Sequence, residues 1–183
     1  MSGAMARQTF RSEVHSGAAP EAIYAVLSDL HTHLTWAGEQ APRKDFRLLS
    51  MVAPAGQLTV GDTFSSTGDN GNGVFHDRSV VVEAEPGRRF GFDTRSTLER
   101  RHGKTWYGRF THRYTIEPAD GGGSQIRLES KVYPENYTPW WLRAGFRTMA
   151  RMLIEHFTPK QLDNLSAMAV EAERSTEDAR RAG

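Results

Sequence analysis

The chain has 183 residues, 38% hydrophobic and 25% charged, with a formal net charge of +1 and no cysteine. That length suits one domain with a sizeable core, and the composition is that of a globular rather than a disordered chain. Disulfides, thiolate nucleophiles and Cys-ligated metals are excluded, a broad nucleic-acid footprint is disfavoured by the near-zero charge, and no run of about 18 apolar residues offers a membrane-inserted helix.

Residues 1–7 carry no apolar stretch of the kind a secretory signal needs, so a flexible N-terminus and a cytoplasmic setting are expected. The first strand is expected over Gln8 to Ser16, where Phe10, Ser12, Val14 and Ser16 alternate with Arg11, Glu13 and His15. Pro20 then opens a helix, with Glu21 at the positive end of its dipole and Ile23, Val26, Leu27 and Leu30 as its apolar stripe. Ser28 or Asp29 suits the cap of a second short helix reaching Trp36. His31 and His33 invite a metal reading, but residues two apart on a helix do not share a face, and no metal site is expected.

Strands are expected at Phe46 to Val52, Asp62 to Thr67, Val74 to Ala84, Arg89 to Ser96, 105–118 and Gln125 to Tyr133. The turns between them are rich in glycine, at 68–73 (GDNGNG), at Glu85-Pro86-Gly87 and at 121–123. GDNGNG lacks the Lys-Ser/Thr and the following helix of a phosphate loop. Consecutive strands joined by short turns predict an antiparallel meander. The C-terminal third reads as a long amphipathic helix, with Leu142, Gly145, Met149, Leu153 and His156 on one side and Arg143, Arg147 and Arg151 on the other. Pro159 predicts a kink or short break, Leu162, Leu165, Met168 and Ala169 continue the stripe, and a polar tail from about Arg174 is expected to fray.

Two segments raise chemical questions. In TWYGRFTHRYTIEP (105–118), His112 falls on the apolar parity with Trp106, Phe110 and Tyr114. It is either a packed core residue or the polar contact inside a binding cavity. In FHDRS (75–79), His76 and Arg78 share one strand face and Asp77 takes the other. Such a run is either the polar mouth of a cavity or a solvated strand face. The basic tip at 95–104 could guide an anionic ligand, or simply be a solvated hairpin end.

Four stretches in order, APEAIYAVLSDL (19–30) followed by Trp36, VGDTF (60–64), EAEPGRRFGF (83–92) and YTIEPADGGGSQIRL (114–128), together with the final helix, resemble the START-like helix-grip (SRPBCC) superfamily. The branch it looks most like is the polyketide cyclase/dehydrase and lipid-transport group. The resemblance implies an α+β helix-grip fold: a curved antiparallel sheet of about seven strands wrapped around a long C-terminal helix, with two short helices after the first strand. It spans a single ligand-binding domain over residues 8–172, with 173–183 as a tail. It also implies a largely apolar cavity between sheet and helix that holds lipids, polyketides or other aromatic or isoprenoid molecules.

The residues expected to contact such a ligand are Trp36, His76, Arg78, Phe90, Phe92, Trp106, Phe110, Trp141, Met149, Met152 and Leu153. Were the protein an enzyme, His112, His156 and Tyr114 would serve as acid/base groups of a cofactor-independent cyclase or dehydratase. The expected partner is a hydrophobic small molecule, with no nucleic acid, no stable membrane insertion and no cofactor, in a monomer or homodimer. A protein-interaction module would need apolar residues on the outer sheet face, where Arg, Lys, Glu and Thr prevail.

Overall fold

The structure, a computed structural model, describes residues 8–39, 47–69, 71–134 and 140–182, with side chains outside the description at 38–39, 134, 140–157 and 182. β1 (Gln8–Ser16) leads into α1 (Pro20–Ser28), a 3₁₀ turn (Leu30–Thr32) and a π-helical turn (Leu34–Glu39). Six strands follow: β2 (Arg47–Val52), β3 (Thr63–Asp69), β4 (Gly73–Glu85), β5 (Arg89–Arg100), β6 (Trp106–Pro118) and β7 (Ser124–Pro134). α2 (Trp140–Ala182) closes the chain.

The strands form one seven-stranded antiparallel sheet in the order β1-β7-β6-β5-β4-β3-β2. It is a meander from β2 to β7, with β1 added beside β7. Alternation along each strand separates an inner face from an outer one. The inner face supplies Phe64, Val81, Phe90, Phe92, Tyr114, Ile116, Ile126 and Leu128 to the core. Against it pack Ile23, Tyr24 and Leu27 of α1, Leu30 and Trp36 of the turns, and Leu162, Leu165 and Ala169 of α2. The helix-grip α+β fold expected from the sequence is thus the one observed. The outer face carries cross-strand ion pairs such as Arg113–Asp93 at 2.7 Å and Arg127–Glu117 at 2.6 Å. Pairs this exposed add little stability and keep the face wetted.

The short helices follow from local chemistry. Pro20 fits the first turn of α1, and Asp29 ends it by turning its carboxylate to accept from the His31 N–H at 3.1 Å, which caps the 3₁₀ turn. A polar knot joins the sheet to α2. Ser166 Oγ donates to Ser16 Oγ at 2.8 Å, the Ala18 N–H donates to the same Ser16 oxygen at 3.2 Å, and Ser124 Oγ donates to the Ala18 carbonyl at 2.7 Å. Gly123 sits beside this knot with φ +78°, and a Cβ there would collide with the Ser16 carbonyl oxygen. Gly123→Ala should therefore destabilise the protein by about 2–3 kcal/mol in urea unfolding, since the backbone cannot relax away from a neighbouring strand.

α2 differs from expectation at two points. It is one helix of 43 residues with Pro159 inside it, so of the kink or short break expected there the break does not occur. A proline removes one main-chain donor, and the buried Leu162, Leu165 and Ala169 hold the turns after it in place. The stretch from Arg174 is helical to Ala182, though exposed, with Ser175 and Thr176 hydroxyls each donating to the carbonyl four residues back at 2.9 Å.

Candidate functional site

Strand register lays the inner face out in rows. One row reads Val81, Phe92, His112, Ser130 and Phe10; the next Phe64, Ser79, Thr94, Phe110 and Val132; the next Ser66, Asp77, Ser96 and Gly108. Towards α1 the face is fully packed, with Phe90 and Ile126 at 0% exposure. Towards the far strand ends it is half-buried at Asp77, Phe110, His112 and Trp106. The packed end can only be structural, so the half-buried end is the candidate site.

Two features mark that end. The first is a run of rings in contact: Tyr24–Phe90 at 6.3 Å, Phe90–Phe92 at 6.2 Å, Phe92–His112 at 4.9 Å, His112–Phe110 at 6.4 Å and Phe110–Trp106 at 6.1 Å between centroids. Gly108 permits it, because a Cβ there would run into the Trp106 indole. The second is a polar band crossing the aromatic run. His112 Nδ1 and Ser130 Oγ are 2.9 Å apart, and the Ser79 and Thr94 hydroxyls are 2.8 Å apart. Asp77 stands directly across from Ser96, whose hydroxyl steadies its charged form. Ser79, Thr94, Ser96 and Ser130 are all buried. An ordinary core would place apolar side chains here, because each buried polar group must find a partner to offset its lost hydration.

The titratable groups are strongly perturbed. Burial lowers the His112 imidazole to about 4, the nearby Arg113 charge adding to the effect and Asp93 opposing it. His33, at the mouth of the turn region, is lowered to about 3, first by burial and then by the proximity of His112. The two rings therefore face one region, and both are neutral at pH 7. The Tyr114 hydroxyl is raised by burial. Asp77 is raised to about 6, burial outweighing the help of Ser96 and His76. Among the described residues, His33 Nδ1, Trp36 Nε1 and Asp77 Oδ1 are buried polar atoms with no partner. His33 and Trp36 lie together, ring centroids 4.3 Å apart.

Of the residues singled out from the sequence, Phe90, Phe92, Trp106, Phe110, His112 and Tyr114 share the inner face, and Trp36 packs in the core from the turn region. Trp141, Met149, Met152, Leu153 and His156 lie in α2, and their side chains fall outside the described residues. His76 and Arg78 must be corrected. Both are exposed on the outer face, and the inward member of that trio is Asp77, in phase with Phe75, Ser79 and Val81. His33 was also missed, as were the hydroxyls of Ser79, Thr94, Ser96 and Ser130. The i±2 phase with Phe75 and Val81 was the available signal for Asp77. No periodicity could have placed His33, which sits between two irregular turns.

A separate open groove of about 480 Å³ lies between the π-helical turn and α2, lined by Thr35, Trp36, Asn164, Met168, Glu171 and Ser175. Its walls are tied by Asn164 Nδ2 donating to the Trp36 carbonyl at 3.1 Å and Gln161 Nε2 donating to the Ala37 carbonyl at 3.2 Å. Among the described residues no group of three or more His, Asp or Glu side chains is set to hold a metal ion, and no helix is long and apolar enough to cross a membrane.

Comparison with known proteins agrees with this architecture. Solved structures of the same fold include an uncharacterised protein from Rhizobium leguminosarum (TM-score 0.63, 16% identity, covering 91% of this chain and 96% of that one). A conserved protein from Geobacillus kaustophilus matches with TM-score 0.66 and 9% identity over 90% and 97% of the two chains. Ara h 8.0201 matches with TM-score 0.61 and 11% identity over 91% and 99%. At these identities the likeness is one of fold alone. None of the curated proteins compared is significantly similar in sequence. The family model for polyketide cyclase / dehydrase and lipid transport matches residues 7–169, and with the seven-stranded sheet gripping α2 this places the chain in that family, within the START-like superfamily.

Proposed function

We propose that the half-buried end of the inner face binds a hydrophobic small molecule (a lipid, a polyketide or another aromatic or isoprenoid metabolite), with His112 as a polar contact. The observation that carries this is the run of rings from Phe92 to Trp106 crossed by a band of buried hydroxyl, imidazole and carboxylate groups. Apolar walls with a few fixed polar atoms are what a small-molecule site needs. A ligand burying about 300 Å² of apolar surface would gain about 7 kcal/mol before ordering costs. Ser130 takes His112 Nδ1, and Nε2 on the other side of the ring is the nitrogen that would meet the ligand.

The enzymatic alternative within the same family, cyclisation or dehydration, needs a base whose affinity for protons suits the working pH. His112 at about 4 is weak for that task, and a Tyr114 hydroxyl raised by burial is a reluctant donor. Asp77 at about 6 is the better-matched group among the described residues. Asp77 is one group, however, and cyclisation needs a donor beside the base, so binding, which needs neither, is the leading reading.

Native mass spectrometry of the purified protein, and titration with 1-naphthol followed by tryptophan fluorescence, test it. A retained small molecule, or saturable one-to-one binding weakened about 5–10-fold in His112→Phe, is expected. No retained molecule and no binding of any apolar probe would remove the reading. Turnover of a polyketide-type substrate that survives His112→Phe but not Asp77→Asn would favour the enzymatic alternative.

A further inference from the structure

We infer that the molecule bound on this face carries a hydroxyl that donates a hydrogen bond to Asp77, so that Asp77 sets ligand specificity. The inference rests on the binding reading above and deepens it.

Asp77 lies in the middle of a thirteen-residue strand, and its phase with Phe75, Ser79 and Val81 turns its side chain to the inner face. Its cross-strand neighbours on the two sides are Ser66 of β3 and Ser96 of β5. Both are small and neutral. Ser96 serves one side of the carboxyl group, while Oδ1 is buried with no partner. A carboxylate oxygen removed from water and left unmatched is costly, and a fold gains nothing from keeping one. The outer face shows that this chain pairs carboxylates readily, as Asp93 is with Arg113 at 2.7 Å and Asp69 with Arg101 at 2.7 Å. The inward exception therefore calls for an external donor. Beyond Ser96 in the same row is Gly108, over which the Trp106 indole lies, and Phe110 stands beside that indole. The row next to Asp77 is thus faced by rings. An apolar or aromatic skeleton with a hydroxyl meets both demands: the skeleton lies on the rings and the O–H reaches Oδ1. A charge-assisted bond of this kind, made away from water, is stronger than a neutral one.

Three probes of one shape separate the possibilities: 1-naphthol, 1-methoxynaphthalene, which keeps the oxygen and loses the proton, and 1-methylnaphthalene. Their affinities are measured for the wild-type chain, Asp77→Leu and Asp77→Asn, together with the thermal midpoints of the unliganded proteins. The naphthol should bind about 10- to 100-fold more tightly than the other two. Asp77→Leu should erase that preference while leaving 1-methylnaphthalene bound as well or better. It should also raise the unliganded thermal midpoint, as a carboxylate kept for a ligand is a burden without it. Equal binding of the three probes to the wild-type chain, or a preference that survives both substitutions, would overturn this inference and leave the binding reading standing. A thermal midpoint lowered in both variants would make Asp77 a structural residue and overturn it likewise. Failure of all three probes to bind the wild-type chain would remove the binding reading itself.

Discussion

Acidification from about pH 7 to about pH 4 should strip on the order of 5 kcal/mol of stability that His33 and His112 together contribute. Both imidazoles are held below the ordinary value of 6.5, at about 3 and about 4, because the fold denies their charged forms water. The unfolded chain takes up these protons near pH 6.5 and the folded chain does not. Their contribution is therefore whole above about 6.5 and is lost as pH falls through the range down to 4 and 3. Asp77 works in the opposite sense. Raised from 3.8 to about 6, it favours the folded state more as pH falls from 6 towards 3.8, and so returns part of the loss. Thermal unfolding at a series of pH values, for the wild-type chain and for the His33→Phe/His112→Phe double variant, isolates the histidines. The double variant should show a flatter or inverted acid limb. An acid limb as steep as that of the wild-type chain would place the acid sensitivity elsewhere.

Leu165→Ala should lower the unfolding free energy by about 2–5 kcal/mol. Leu165 is fully buried, between Leu162 and Ala169 on the face of α2 that meets α1 and the sheet. Its removal leaves a void that rigid neighbours such as Ile23 and Leu27 fill only in part. Leu49, 54% exposed at the sheet edge, provides the contrast: Leu49→Ala should change stability by less than about 0.5 kcal/mol. Urea unfolding of the two variants measures both. Similar losses at the two sites would mean that α2 is not docked through this stripe.

The helix-grip architecture was legible because its strands are one-sided. Gln8 to Ser16 and 105–118 alternate so regularly that face and register follow directly, and the same alternation placed Phe90, Phe92, Phe110 and His112 together. Leu162, Leu165 and Ala169 kept their helical phase after Pro159, where a kink or short break had been expected, because their burial outweighs one missing main-chain donor. The site was legible only in part. FHDRS was read by its charges, which drew attention to His76 and Arg78. Its neighbours Phe75 and Val81 carried the information about faces, and they turn Asp77 inward. Beyond them the β4–β5 register shifts between Val81 and Glu83, so parity cannot be carried through the strand from its far end. His33 was set aside as half of an HTH metal motif. Its approach to His112 depends on two irregular turns, whose geometry has no sequence period.

The pairing of β1 has a consequence in time. Among the described strands β1 pairs with β7 alone, and the ion pair between Arg11 and Glu129 spans 118 residues of sequence. During synthesis β1 and α1 emerge first and must wait, with Phe10, Ile23 and Leu27 exposed, until almost every other strand has been made. The remaining strands can zip hairpin by hairpin as they appear, each closing a short loop. The slow step in reaching the folded state is then the late capture of β1 by β7. It is during that wait that a chaperone, or an unwanted neighbour, has its opportunity.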